Sequence, residues 1–165
     1  KKLKKWIFDF INNKPSSPYM WKIPYEFSSY ILTTKKLKNK KFLKDLLWFE
    51  YTEIDLRMFN YTHKKVTFNW DSELSLSPSV RLKELNYAVY KGDYKNKGKY
   101  PILFYYDFDD HKIKFNEITP FMYQFLKNLG DKTVEENAIE LASLHNIEVV
   151  DLKEVMLKQL KILCK

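Results

Sequence analysis

Residues 101–116, Pro-Ile-Leu-Phe-Tyr-Tyr-Asp-Phe-Asp-Asp-His-Lys-Ile-Lys-Phe-Asn, constrain this fold more tightly than any other stretch of the chain. The first arm, Ile102 to Tyr106, is continuously apolar or aromatic. The second alternates Lys112, Ile113, Lys114 and Phe115 with the two-residue period of a half-buried strand. Between them, Asp109, Asp110 and His111 are turn formers that tolerate left-handed backbone. The segment reads as a β-hairpin.

Three helices follow it, each with a legible start. Thr119 is an N-cap with Pro120 at the first helical position, and Phe121, Met122, Phe125, Leu126 and Leu129 line one face up to Gly130. Thr133 with Glu136 three residues on is a capping box, followed by Ala138, Ile139, Leu141 and Ala142. Asp151 with Glu154 repeats the device, and Leu152, Val155, Met156, Gln159, Leu160 and Leu163 form the third stripe. A small sheet followed by three such helices predicts a winged-helix-like arrangement. Here the hairpin precedes the helices, whereas DNA-reading winged helices tend to carry the wing after the recognition helix, which tilts the reading away from DNA.

The preceding half predicts helices. Apolar residues at Leu3, Trp6, Ile7, Phe10 and Ile11 have the spacing of one helical face, and Lys14 to Pro18 break it. Pro24 suits the first turn of a helix carrying Tyr25, Phe27, Tyr30 and Ile31. After the lysine-rich connection 35–44, residues 41–59 read as an amphipathic helix, with Phe42, Leu46, Phe49, Glu53 and Leu56 near one line. Residues 66–68, 74–76 and 80–90 read as strands or extended loop. The expected class is α+β: a helical segment over 1–65, the tail of a longer N-terminal domain plus the amphipathic helix, then a winged-helix-like domain over 66–165. The first residue is Lys1 and not Met, which suggests that the natural N-terminus lies upstream.

Composition removes several chemistries. An apolar content of 45% over 165 residues is that of a globular chain with a core, and three glycines cannot build a phosphate-cradling loop. Cys164 is the only cysteine, so no intrachain disulfide or thiolate zinc cage can form, and a reducing, cytoplasmic compartment is the simplest fit. No run approaches a membrane span. His63, His111 and His145 lack ligand spacing, Glu53 and Arg57 read as a surface pair, and Asp107, Asp109 and Asp110 read as turn formers. Arg81, the one arginine of the second half, either grips a carboxylate or fixes the strand entrance through an internal ion pair. The net charge of +8 is uneven: residues 1–65 hold 15 Lys and Arg against 6 Asp and Glu, and residues 66–165 hold 14 against 15. The N-terminal lysines read as solvated. No nucleophile with its base, ligand cluster or cofactor loop is evident, and the chain is expected to be neither an enzyme nor the holder of a cofactor.

Ile102 to Leu163 resembles the PqqD-type peptide-recognition element of ribosomal peptide biosynthesis. The resemblance rests on the hairpin, on Asn116-Glu117-Ile118-Thr119-Pro120, on Asp131-Lys132-Thr133-Val134-Glu135-Glu136 and on Val150-Asp151-Leu152-Lys153-Glu154-Val155. A longer run is similar to the HvfC/BufC-type family, which is related to the methanobactin partner MbnC and carries a DNA-binding label in family names. That similarity runs through Ser17 to Phe27, Leu46 to Tyr51, Leu76 to Leu82 and Tyr106 to Phe115.

The resemblance implies a non-catalytic subunit of a heterodimer whose partner, a multinuclear iron oxidase, modifies cysteines of a small precursor peptide. The iron would belong to the partner. The peptide's leader would add a strand to the hairpin edge, held by Lys112, Ile113, Lys114, Phe115 and Asn116 and by the third-helix residues Leu152, Val155, Met156 and Gln159. Ile113, Phe115, Leu152, Val155 and Met156 would serve equally well as core. Helix 41–59 and loop 60–76 would contact the enzyme. The competing reading is a winged-helix regulator with Lys153, Lys158 and Lys161 in the major groove, which a half of net charge −1 disfavours.

Overall fold

The computed structural model describes residues 2–13, 17–34, 40–59, 61–62 and 66–163. His63, Cys164, the break at Lys14 to Ser16 and the lysines at 35, 36 and 38 lie outside the described residues, as does the expected boundary at 65. The fold is α+β: helices, then a three-stranded antiparallel sheet, then three helices, the winged-helix-like order that the hairpin and the caps predict. The chain divides into two compact units, residues 1–59 with 85–99 and residues 60–84 with 100–165. The first unit therefore takes in a segment, 85–99, that a single cut in the sequence assigns to the second half.

In the first unit, α1 (Lys2–Asn12) buries Phe10, whose ring lies 5.3 Å from Phe27 and 5.6 Å from Tyr30 of α2 (Ile23–Thr33). Pro24 stands in the first turn of α2, where its missing N–H costs nothing. The third helix, α3 (Leu43–Arg57), does not present the expected face. Its buried residues are Asp45, Thr52 and Leu56, while Glu53 is exposed and paired to Arg57 at 2.6 Å. The face turns because Asp45, 2% exposed, is the anchor of segment 85–99: its Oδ2 accepts the backbone amides of Asn86 at 2.7 Å and Tyr87 at 3.2 Å. A buried carboxylate needs such donors, and its place in the first turn of α3 suits the helix dipole.

The sheet consists of β1 (Val80–Tyr87), β2 (Lys97–Asp107) and β3 (Lys112–Glu117) in the order β1-β2-β3. Residues 66–79, which carried signals for strand or loop, are extended loop, with one isolated bridge between Glu73 and Thr133. The loop's carbonyls finish a helix instead of a ladder: Ser72 accepts the amide of Val134 and Trp70 that of Glu135. Phe68, Trp70 and Leu74 pack against the core.

The helices α4 (Pro120–Lys127), α5 (Val134–His145) and α6 (Val149–Leu163) close that core with Leu103 of β2. Thr119 caps α4 by accepting the Met122 amide, and Thr133 with Glu136 forms the full capping box of α5. The device expected at Asp151 is absent, because α6 begins two residues earlier. Glu148 accepts the Leu152 amide, and Asp151 lies inside the first turn, where its charge still favours the dipole. No described helix is long and apolar enough to cross a membrane.

Candidate functional site

The candidate site is the side of β3 that faces away from β2. Its strand pairs only with β2 among the described residues, in the register Leu103↔Asn116, Phe104↔Phe115, Tyr105↔Lys114 and Asp107↔Lys112. One bond beyond the strand fixes which backbone groups face out: the Ile118 amide donates to the Pro101 carbonyl at 3.0 Å. Antiparallel pairs alternate between bonded and non-bonded, so Asn116, Lys114 and Lys112 also bond to β2. The N–H and C=O groups of Ile113, Phe115 and Glu117 then point away from the sheet. The Tyr106 amide agrees with this alternation, since it donates at 3.1 Å to Ser79, just before β1, and not to β3.

The same register assigns side chains to faces, because residues directly opposite share one. Leu103 packs in the helical core and Tyr105 against it, so Asn116, Lys114 and Lys112 lie on the face that carries α4, α5 and α6. Ile113 and Phe115 lie on the other face, and the Phe115 ring is 5.4 Å from that of Phe104. Phe115 is 42% exposed and Ile113 half-buried.

The hairpin tip is closed by charge. Asp107 accepts the amides of Asp109 at 2.9 Å and Asp110 at 3.1 Å, and Lys114 reaches both Asp107, at 2.6 Å, and Asp110. The bond from Lys114, then those from the turn amides, holds the Asp107 carboxyl below its ordinary range. Asp107 and Asp110 in turn push Lys114 well above the usual lysine value. His111 takes left-handed backbone at φ 52°, as the turn composition predicts, and its Nδ1 lies 3.3 Å from the Tyr106 hydroxyl. The acids at the tip are thus turn-closing groups.

The nine residues proposed for peptide contact do not form one patch. Lys112, Phe115 and Asn116 are exposed on β3, and Lys114 is occupied by the tip. On α6, Val155 is 68% exposed, whereas Leu152 and Met156 are buried in the core beside Phe125 and Leu141, where no docked peptide would meet them. A stripe read at helical spacing combines the two, because a broad apolar face has a buried centre and an open margin. The side chain of Gln159 lies outside the described residues. So do Lys158 and Lys161, and the third lysine of the DNA-reading face, Lys153, is engaged: it pairs with Glu135 and sits 5.0 Å above the Trp70 ring.

No protein-family model and no curated protein matches this chain.

The remaining candidates resolve into structural roles. Arg81 donates to the carbonyls of Pro78 at 2.6 Å and Val80 at 2.9 Å, fixing the entrance of β1 through backbone groups. His145 meets Gln124 at 3.0 Å on the surface. Among the described residues, no three His, Cys, Asp or Glu side chains converge in a way that could hold a metal. Sequence reasoning missed a cleft of about 350 Å³ in the first unit, lined by Tyr19, Trp21, Lys22, Tyr51, Asp55, Met58 and Phe59. Burial, then Asp55 and Tyr25, pushes the Tyr51 hydroxyl above its ordinary range.

Proposed function

We propose that this chain is a non-catalytic recognition subunit. It takes the extended leader of a ribosomally made precursor peptide as a fourth strand on β3 and presents it to a multinuclear iron-dependent oxidase, its partner in a heterodimer. The observation that carries the reading is the outward row of backbone donors and acceptors at Ile113, Phe115 and Glu117, flanked by exposed Phe115. The outer strand of a sheet, with backbone groups pointing away from its neighbour, is a template for another strand. The resemblance of the hairpin and the three helix openings to the PqqD-type element supplies the occupant, and the similarity to the HvfC/BufC type supplies the enzyme.

In this arrangement main-chain bonds give affinity, and alternate side chains of the leader fall on the two faces of the sheet. Those on the helical face meet Lys112 and Asn116, and those on the other meet Ile113 and Phe115. The chemistry at cysteine belongs to the partner's iron.

The test is co-purification of the protein with the products of neighbouring genes, then titration of their candidate leader peptides against two variants. Phe115→Pro removes an outward amide without touching the ladder to β2, and proline is tolerated on an edge. Phe115→Ala keeps the amide. Main-chain pairing predicts a loss of roughly tenfold or more for the proline, at ~1–3 kcal/mol for an unsatisfied partner, and a smaller loss for the alanine. Equal effects, or no peptide binding by the unmodified protein, would refute strand addition.

A further inference from the structure

The walls of the cleft in the first unit are mostly aromatic: the rings of Tyr19, Trp21, Tyr51 and Phe59 line it. Tyr19 and Trp21, just before and within a 3-10 turn over Met20–Lys22, have ring centroids 4.7 Å apart. Tyr51, Asp55 and Met58 fall at i, i+4 and i+7 along α3 and its end, and the Tyr51 ring is backed by Tyr25 at 5.1 Å. Among the described residues that line the cleft, Asp55 is the one acid, half-buried, and Lys22 the one base. The Lys22 ammonium already stands over a ring of the cleft, 5.1 Å from the centroid of Tyr19, on an exposed side chain.

We propose that this cleft binds an organic cation, a guanidinium or an alkylated ammonium group, against its rings and the Asp55 carboxylate. The lining decides between the three kinds of occupant. An anion is opposed by Asp55, whose charge helps to push the Tyr51 hydroxyl upward. A neutral apolar group would strip water from that carboxylate and hydroxyl and return nothing for it. A cation is attracted by aromatic faces and by the carboxylate, and the last turn of α3 adds the negative end of its dipole. Guanidinium and alkylated ammonium groups shed water more readily than the compact ammonium of Lys22, and about 350 Å³ holds such a group with its carbon stem. Lys22 is then a tethered competitor, displaced from Tyr19 when the cation enters. The unit as a whole carries 17 Lys and Arg against 7 Asp and Glu, a net +10. That repulsion is screened beyond ~8 Å at physiological ionic strength, whereas Asp55 is in the wall itself. Arg57, at the same end of α3, is paired to Glu53.

The experiment is an NMR titration of the full chain, following the assigned Trp21 indole N–H, with three probes: choline, N-acetylarginine amide, and 3,3-dimethylbutan-1-ol as the uncharged counterpart of choline. Saturation by choline identifies a small quaternary ammonium as the fitting form and saturation by the arginine amide a peptide side chain; either supports the cleft as a cation site. The variants Tyr19→Leu, Asp55→Asn and Lys22→Gln change exposed or half-buried side chains, so folding is preserved. Asp55→Asn weakens the cation about tenfold and Tyr19→Leu about threefold, while both leave the uncharged probe nearly unchanged. Lys22→Gln strengthens the cation about threefold, since the competitor is gone. No shift with either cation up to ~10 mM, equal affinity for the uncharged probe, or weaker cation binding in Lys22→Gln would overturn the assignment.

Discussion

At the scale of single residues, the most informative is Asp45. Nothing in its neighbourhood, Lys44-Asp45-Leu46, distinguishes it from a surface acid, yet it is among the most buried side chains of the first unit. Its partners are the amides of Asn86 and Tyr87, about forty residues away, and no local pattern can announce a hydrogen bond across that separation. Asp45→Ala leaves two amides without acceptors and is expected to cost about 3 kcal/mol of stability in chemical denaturation. Asp45→Asn keeps an acceptor and costs about 1 kcal/mol. Equal, small losses would mean that the amides find other acceptors. The outward amide of Phe115 is the converse case: its side chain was legible by alternation, but its backbone direction needed the bond from Ile118 to Pro101.

At the scale of elements, what was legible is local chemistry. Thr119 and Thr133 were readable as caps because the donor, the acceptor and the spacing all lie within four residues. Asp151 and Glu154 have the same spacing without the cap, because Asn146 ends α5 in left-handed backbone and the chain re-enters a helix at Val149, two β-branched residues ahead of the acid. The line of α3 was misread for the reason Asp45 was missed, since its orientation is set by a distant segment. The loop 66–79 carries strand-like composition, but its carbonyls meet the first amides of α5. Thr133→Ala, which removes one half of the capping box, is expected to lower stability by about 1 kcal/mol. The same change returns the Glu136 carboxyl, held below its ordinary range chiefly by the Thr133 amide and then by its hydroxyl, part of the way toward that range. An unmoved Glu136 titration in carbon-detected NMR would show that the side-chain bond contributes little.

At the scale of the molecule, the fold class, the hairpin and the succession of three helices were readable in advance, and the division of charge was half readable. The sequence placed the basic excess in its first part, but the fold adds segment 85–99 to that unit and raises its net charge to +10. The candidate site was legible as a strand edge and not as a patch. Ile113 and Phe115 lie on the opposite face from α6, and Leu152 and Met156 are core, distinctions that require a register and a packed helix. The account rests on β3 accepting a fourth strand, and amide hydrogen exchange of the full chain with and without leader peptide tests this most directly. Strand addition predicts new protection at the amides of Ile113, Phe115 and Glu117, with those of Lys114 and Asn116, already bonded to β2, little changed. Peptide binding that leaves the three outward amides exchanging freely would contradict it.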